Sequence, residues 1–450
     1  MFKKVLIANR GEIAVRIIRA CRELGIETVA VYSEVDQYAL HTQLADEAVC
    51  IGPALSKDSY LNITNILSAC VLTGADAIHP GFGFLSENAK FAKMCKECNI
   101  KFIGPDYTSI ELMGNKAKAR EVMKKAKVPV VPGFEGVIKD EKHALSIAKE
   151  IGYPVMIKAS AGGGGKGIRI AFNDEEFKNG YNTAKAEAKA CFGDDTLYIE
   201  KYVQKPKHIE FQILADSFGN VIHLGERECS LQRKNQKVLE EAPSTFLTEE
   251  LREEMGEIAK KAALAVNYEN AGTIEFLVDK DHNYYFMEMN TRIQVEHPIT
   301  EMITGVDIVK EQLKIASGMP LTLTQKDIKI KGHAIECRIN AEEPEKDFRP
   351  CPGTIEELYL PGGRGIRLDS AIYCGYKIPP YYDSMLAKLI AFGDSREEAI
   401  TIMKRALGEF GIVGVKTNID FQYSLLEMDK VIEGDYDTSF LNEVMVKNNV

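Results

Sequence analysis

The segment from Phe286 to Pro298, FMEMNTRIQVEHP, sets two carboxylates, an arginine and two amides at alternate positions. In an extended chain successive side chains face opposite ways, so Glu288, Asn290, Arg292, Gln294 and Glu296 share one side and Met289, Ile293 and Val295 the other. Such a face suits an oxygen-rich anion and a hard cation. Just upstream, GTIEFLV carries Glu275. If the two strands form a hairpin with a four-residue loop at 280–283, Glu275 and Glu288 stand directly opposite each other. Opposed carboxylates repel unless a positive charge intervenes. Mg²⁺ takes one or two carboxylates together with phosphate oxygens, and Asn290 offers a third protein oxygen. The competing reading is a solvated hairpin with ordinary surface glutamates, against which the apolar Ile274, Phe276, Leu277, Phe286 and Met287 argue. Glu296 raises a problem of reach. Four residues beyond Arg292, a straight strand carries it about 13 Å away, so a bulge or a turn before Pro298 must bring it back if the two act together. The alternative is a glutamate capping the following helix, PITEMITG.

A second group of residues points to phosphates. Gly162 to Gly165 are consecutive glycines in ASAGGGGKG. The run is no Walker loop, because Lys166 precedes Gly167 rather than Ser or Thr, and position 160 is Ser. Strands are expected on both sides, in YPVMIKAS and IRIAF, so the run reads as a hairpin tip whose bare N–H groups can cover phosphates; the plainer reading is a flexible hinge. Lys158 ends the incoming strand. Glu200 and Lys201 lie in LYIEKYV, a short edge strand whose backbone can pair with an adenine covered by Val203.

These residues need a scaffold. KKVLIAN, GEIAVRIIRACRELG and ETVAVYS read as strand, helix and strand, predicting a doubly wound parallel sheet at the N-terminus. A dinucleotide-binding domain would look similar, with Asp36 on the ribose, but the first turn, ANRGEIAV, lacks G-x-G-x-x-G. Domains are expected over 1–114, 115–330 and 331–450, the middle one with a lid over about 131–203. The chain has 450 residues, 45% hydrophobic and 27% charged, with a formal charge of −10. That balance predicts a globular, cytoplasmic protein with no membrane span and no nucleic-acid partner. The scattered cysteines read as reduced thiols, and Cys95 and Cys98 as a coincidental CxxC, since no second pair completes a metal site.

KKVLIANRGEIAVRIIRA, DAIHPGFGFLSEN, KASAGGGGKGIRI, QRKNQKVLEEAPS, EMNTRIQVEHPITEMITGVD and GHAIECRINAE together resemble the signature segments of biotin carboxylase, an ATP-grasp enzyme, across essentially the whole chain. The resemblance implies a Rossmann-like N-terminal domain, an ATP-grasp domain with a mobile glycine-rich lid, and a C-terminal mixed α+β domain. It implies ATP- and bicarbonate-dependent carboxylation of biotin on a separate carrier protein, with a carboxyltransferase as further partner and a homodimer as the assembly. By the same resemblance, Lys116, Lys158, Gly164, Gly165, Glu200, Lys201, Val203, His208, Gln232 and Asn235 belong to the ATP site. Glu275, Glu288 and Asn290 would hold Mg²⁺ or Mn²⁺. Arg292, Gln294, Val295 and Lys237 would bind bicarbonate and the transferring phosphoryl group. Glu296 would be the base, and Arg338 would stabilise the biotin enolate, where the plain reading is an ion pair with Glu336.

Three positions depart from the family's pattern: Phe82 for a common Tyr, Asn235 for a common His, and Arg364 where some members place an aromatic at the dimer contact. Arg19 and Glu23 match a dimer pair, or pair within their own helix. No biotinyl-lysine hairpin is found, EVMKKAK being helical in pattern. The carboxyl acceptor is expected to be acetyl-CoA, with pyruvate and propionyl-CoA as alternatives. Another ATP-grasp ligase and a non-catalytic homologue are the remaining readings.

Overall fold

A computed structural model describes residues 1–134, 138, 140–159, 168–192 and 196–447. These residues fall into two compact units, one of residues 1–128, 207–276 and 288–450 and one of residues 129–206 and 277–287.

The first unit opens with a five-stranded sheet in the order β3-β2-β1-β4-β5, formed by β1 (Lys4–Ile7), β2 (Glu27–Ser33), β3 (Glu47–Gly52), β4 (Ala77–His79) and β5 (Lys101–Phe102). All four pairings are parallel. Alternation within β1 shows why the sheet is covered on both faces. Val5 and Ile7 pack with Ile13 and Ile17 of the helix Gly11–Glu23, while Leu6 and Ala8 pack with Ile66 and Phe91 from the opposite side. This is the expected doubly wound sheet. Asp36 does not await a ribose: its carboxylate accepts from Arg10 at 2.6 and 2.8 Å and from the Tyr60 hydroxyl at 2.7 Å, and it is buried.

An eight-stranded sheet follows in the order β13-β12-β9-β10-β11-β14-β19-β18, all of it in the first unit except residues 277–278 and 284–287. Its strands are β9 (Lys207–Ala215), β10 (Val221–Arg233), β11 (Gln236–Ala242), β12 (Asn270–Val278), β13 (Tyr284–Asn290), β14 (His333–Asn340), β18 (Ile366–Ser370) and β19 (Met385–Gly393). Two short ribbons, β15 (Glu342–Glu343) with β16 (Arg349–Pro350) and β17 (Glu357–Tyr359) with β20 (Gly411–Val413), flank β18 and β19 in sequence. One face of β14 and β19 is apolar: Ile335, Cys337, Leu389 and Ala391 pack on Ala399 and Met403 of the helix Arg396–Glu409. The other face carries Glu336, Arg338 and Lys388, with Arg338 directly across from Lys388.

The second unit is built on an antiparallel sheet in the order β7-β6-β8, from β6 (Val155–Ala159), β7 (Ile168–Ala171) and β8 (Leu197–Lys201). Helices Glu141–Ile151 and Asp174–Phe192 cover it, and its core includes Ile147, Ile157, Phe177 and Ile199. The strands expected on either side of the glycine run are therefore present and paired. The run itself, with Gly164 and Gly165, lies outside the described residues.

The described cysteines are all free. Among the described residues no helix is long and apolar enough to cross a membrane.

Candidate active site

Strands β9, β11 and β12, with β10 between β9 and β11, and one turn bring four charged groups to a point. Alternation along β9 puts His208, Glu210 and Gln212 on one face. From β11, the Lys237 amine donates to Glu210 at 2.6 Å, to Glu275 of β12 at 3.2 Å and to Glu296 at 2.6 Å. Arg227 of β10 is fully buried beneath them and donates to Glu210 at 2.6 Å, Gln212 at 2.8 Å, Thr300 at 3.0 Å, Thr273 at 3.2 Å and Gln294 at 2.7 Å. A guanidinium is tolerated without water only when its donors are satisfied in this way.

The loaded segment does not stay extended. The strand ends at Asn290, residues 291–296 turn, and a helix begins at His297. The His297 N–H and Nδ1 both lie against the Gln294 carbonyl, at 3.3 and 2.8 Å, which closes the turn. The alternating face predicted for a straight strand is thus replaced by a strap whose side chains converge. Gln294 donates to Glu275 at 2.7 Å, Asn290 donates to the same oxygen at 2.7 Å, and Arg292 donates to the Asn290 oxygen at 2.9 Å and to Glu87 at 2.9 Å. Glu296 occupies the N-cap position of the helix but makes no side-chain cap bond, so the capping alternative fails. Its second oxygen accepts instead from Arg338 at 2.9 Å. Arg338 is mostly buried and bonds Glu240 at 2.6 Å as well as Glu296, in place of the surface pair with Glu336.

Electrostatics set the protonation states. Burial alone would raise all three carboxylates, yet Lys237 and Arg227 hold Glu210 well below the usual range, and Lys237 and His208 do the same for Glu275. Glu296 is also lowered, burial being outweighed by Lys237, Arg338 and Arg227. Burial disfavours the charged forms of His208 and Lys237, but the surrounding acids win: His208 is raised to about 9, chiefly by Glu275, and Lys237 well above its ordinary value. The site at neutral pH is an ionised acid cluster threaded by fixed cations, with Glu296 in its proton-accepting form.

Glu288 stands apart from this cluster. It is 39% exposed and its carboxylate lies 3.6 Å from the Lys116 amine. The hairpin explains part of the difference from expectation. The Asp279 N–H donates to the Asn283 carbonyl at 2.9 Å and His282 takes a left-handed φ of +63°, which makes the loop 280–282. That loop is one residue shorter than predicted, so the tip does not set Glu275 directly opposite Glu288. Among the described residues, the His, Cys and carboxylate groups close enough to share an ion are His208, Glu210 and Glu275, and Glu210, Cys229 and Glu296.

Gln232 donates to the Cys229 carbonyl at 2.7 Å and lies 3.0 Å from His208 Nδ1; Asn235, with φ +64°, sits in the turn between β10 and β11. In the second unit Lys158 pairs with Glu200, and the Lys201 amine donates to the Gly152 and Tyr153 carbonyls at 2.9 and 2.8 Å. The edge of β8 is not open at every position. The Phe134 N–H donates to the Ile199 carbonyl at 3.0 Å, and the Lys201 N–H donates to the Pro132 carbonyl at 2.7 Å.

Residues 1–110 match a profile described as the biotin carboxylase N-terminal domain, residues 115–324 the ATP-binding domain of the carbamoyl-phosphate synthase L chain, and residues 336–443 the biotin carboxylase C-terminal domain. Biotin carboxylase 1 of Bacillus subtilis is 61% identical over 442 residues, 98% of each chain. The chain belongs to the biotin carboxylase family. Its members are ATP-dependent ligases that serve as subunits of biotin-dependent carboxylases. A pyruvate carboxylase subunit from Methanothermobacter thermautotrophicus is 56% identical over 98% of this chain and 90% of its own length. Among solved structures, the biotin carboxylase domain dimer of 2-oxoglutarate carboxylase from Hydrogenobacter thermophilus, in complex with MgADP, ADP and bicarbonate, superposes with a TM-score of 0.88 at 56% identity and covers 98% of both chains.

In this biotin carboxylase the candidate site also brings together residues that motif reading passed over. Glu210 was detectable, because KHIEFQILA alternates His, Glu and Gln on one face of an otherwise apolar strand. Arg227, Glu240 and Glu87 gave no such signal, since each depends on which strands become neighbours. Glu23, matched to a dimer pair, bonds Lys310 at 2.5 Å here rather than Arg19 of its own helix.

Proposed function

We propose that this chain is the biotin carboxylase subunit of an acetyl-CoA carboxylase, acting in the cytoplasm as a homodimer on biotin held by a separate carrier protein. The observation that carries the reaction assignment is Glu296, an ionised buried carboxylate held at 2.6 Å by Lys237 and at 2.9 Å by Arg338. A base, a phosphoryl-stabilising cation and an enolate-stabilising cation within one another's reach are what biotin carboxylation from bicarbonate requires.

In the proposed sequence, Arg292, Gln294 and the Val295 N–H orient bicarbonate, and Glu296 takes its proton. The resulting oxyanion attacks the γ-phosphorus of ATP, forming one P–O bond as the bond to ADP breaks, and Lys237 neutralises the charge spread over the phosphoryl oxygens. Carboxyphosphate then separates into CO₂ and phosphate, the phosphate takes the ureido proton, and Arg338 holds the enolate oxygen of biotin while its nitrogen attacks CO₂.

On the first unit we assign Lys116, His208, Gln232 and Asn235 to the nucleotide; on the second, Lys158, Glu200, Lys201, Val203, Gly164 and Gly165. Glu275 accepts from the Asn290 side-chain amide at 2.7 Å, so the two residues are neighbours, and with Glu288 they would supply the hard oxygen set that Mg²⁺ or Mn²⁺ prefers. Such an ion would neutralise phosphate oxygens of the nucleotide.

Acetyl-CoA is placed first because the more similar of the two relatives, from Bacillus, is named biotin carboxylase with no 2-oxo acid in its name. The 2-oxo-acid carboxylases are the second reading, favoured by relatives of that kind at 56%. Supplying labelled bicarbonate, ATP and free biotin tests the reaction: labelled carboxybiotin is expected, and its absence from active, folded protein refutes it. Mass spectrometry of the biotinylated protein and transferase that co-purify with the chain decides the acceptor; a 2-oxo-acid transferase domain overturns the acetyl-CoA assignment.

A further inference from the structure

Lys388 is a fully buried lysine that none of the chemistry above uses. It lies on β19, directly across from Arg338 of β14. Its amine donates to the Val295 carbonyl at 2.8 Å, lies 3.2 Å from a carboxylate oxygen of Glu12 and 4.0 Å from Asp369, and stands 5.9 Å from the centre of the Phe82 ring.

The strap from Thr291 to Glu296 is pinned mostly through side chains. Gln294 is held by Glu275 and Arg227, and Glu296 by Lys237 and Arg338. The Lys388 bond holds the main chain, as do those of His297 to the Gln294 carbonyl and of the Thr291 N–H to Glu87, but it reaches the strap from β19. A carbonyl fixed by a charged donor fixes the plane of its whole peptide, and the Val295 carbonyl belongs to the peptide that ends in the Glu296 nitrogen. The backbone angle at which Glu296 leaves the strap is therefore set from β19. Arg338, opposite Lys388, is set by the same pair of strands. Two residues required to meet on one substrate thus share one rigid support.

A buried ammonium is costly and persists only where its charge and donors are met. Glu12, from the helix Gly11–Glu23, supplies the nearest carboxylate, and Asp369 on β18 a second one. The loop that carries Phe82 is fixed against the same region. Asn9 donates to the Pro80 and Phe82 carbonyls, both at 2.7 Å, and Gly81 turns at φ +62° where a Cβ would lie 2.9 Å from the Asn9 amide.

We propose that Lys388 is a positioning residue for bicarbonate activation: through the Val295 carbonyl it orients the strap that presents the bicarbonate-binding N–H and the base Glu296. The inference rests on the functional reading above. It assigns Lys388 no contact with substrate.

The test uses the full chain and three variants, Lys388→Met, Glu12→Gln and the double variant. Initial rates of ATP turnover are measured against bicarbonate and, separately, against ATP, beside thermal unfolding. Lys388→Met is expected to lower kcat/KM for bicarbonate by roughly 10²-fold, the scale of a misplaced reacting group, while KM for ATP stays within about twofold. Glu12→Gln removes the nearer carboxylate but leaves the bond to Val295, and is expected to keep bicarbonate kcat/KM near the wild-type value. If Lys388→Met does not fold, the double variant, which removes the Glu12 charge together with the amine, is measured instead and must show the same loss. A folded variant lacking Lys388 with bicarbonate kcat/KM within threefold of wild type overturns the inference. So does a Glu12→Gln defect equal to that of Lys388→Met, which would make charge balance the cause. Wild-type protein whose ATP turnover ignores bicarbonate overturns the functional reading, and this inference with it.

Discussion

At the scale of single residues, Glu296 makes the sharpest claim. It caps nothing, and its carboxylate is shared between two cations that keep other partners when it is removed: Lys237 retains Glu210 and Glu275, and Arg338 retains Glu240. Glu296→Ala should therefore fold. It should keep nucleotide affinity and lose roughly 10²-fold or more in bicarbonate-dependent rate, the usual range for a lost general base. Calorimetric ATP binding alongside turnover checks this, and a stable variant losing less than threefold removes Glu296 from the mechanism. Glu288 makes a different claim, because it is partly exposed and meets only the exposed Lys116 in its surroundings among the contacts described. Glu288→Gln should leave the unfolding midpoint within about 1 °C, since an exposed pair is worth little, yet raise the Mg²⁺ concentration for half-maximal turnover at least about tenfold. An unchanged Mg²⁺ titration would exclude it as a ligand. The grouping of these side chains was legible from residue type and alternation, and their proposed roles from the family resemblance, but the partners were not. Lys237 meets acids from β9, β12 and the strap, and nothing local in QRKNQKVLEE states that β9 and β10 will separate β12 from β11.

At the scale of elements, the parallel sheet was readable because the chain opens with the short apolar run of β1, an amphipathic helix that ends before Gly25, and the apolar run of β2. Those signals are local. The strap was less so: the period-two pattern that marks a strand continues through Glu296, whereas the chain stops pairing at Asn290 and turns. What wins is tertiary, the pull of Arg227 on Gln294 and of Lys237 and Arg338 on Glu296, together with the closing bonds to the Gln294 carbonyl. The short helix Leu40–Leu44 carries another buried group, His41, whose Nε2 lies 3.2 Å from the Val31 carbonyl. Burial pulls its pKa down to about 4, with Arg10 adding to the effect and Asp36 opposing it. The unfolded chain then binds the extra proton between pH 6.5 and 4, so the stability linked to His41 is intact above pH 6.5 and falls as the pH drops through that window, by about 1.4 kcal/mol per unit at most. His41→Gln should abolish this part of the slope. Denaturant unfolding at pH 7, 6 and 5 should show the wild-type advantage over the variant shrinking with acid; a constant difference would contradict it.

At the scale of the whole molecule, an acidic chain handles an anionic substrate by local means. A formal charge of −10 offers bicarbonate no general attraction, so beside Arg292 the work falls to four largely buried cations held by acids: Lys237, Arg227, Arg338 and Lys388. Composition could set the class of the protein but could not place these four. The measurement that tests the account most directly is steady-state ATP turnover by the pure chain as bicarbonate is varied, without and with free biotin. Turnover should rise to saturation with bicarbonate and rise further when biotin is added; ATP turnover that is indifferent to both would contradict the account.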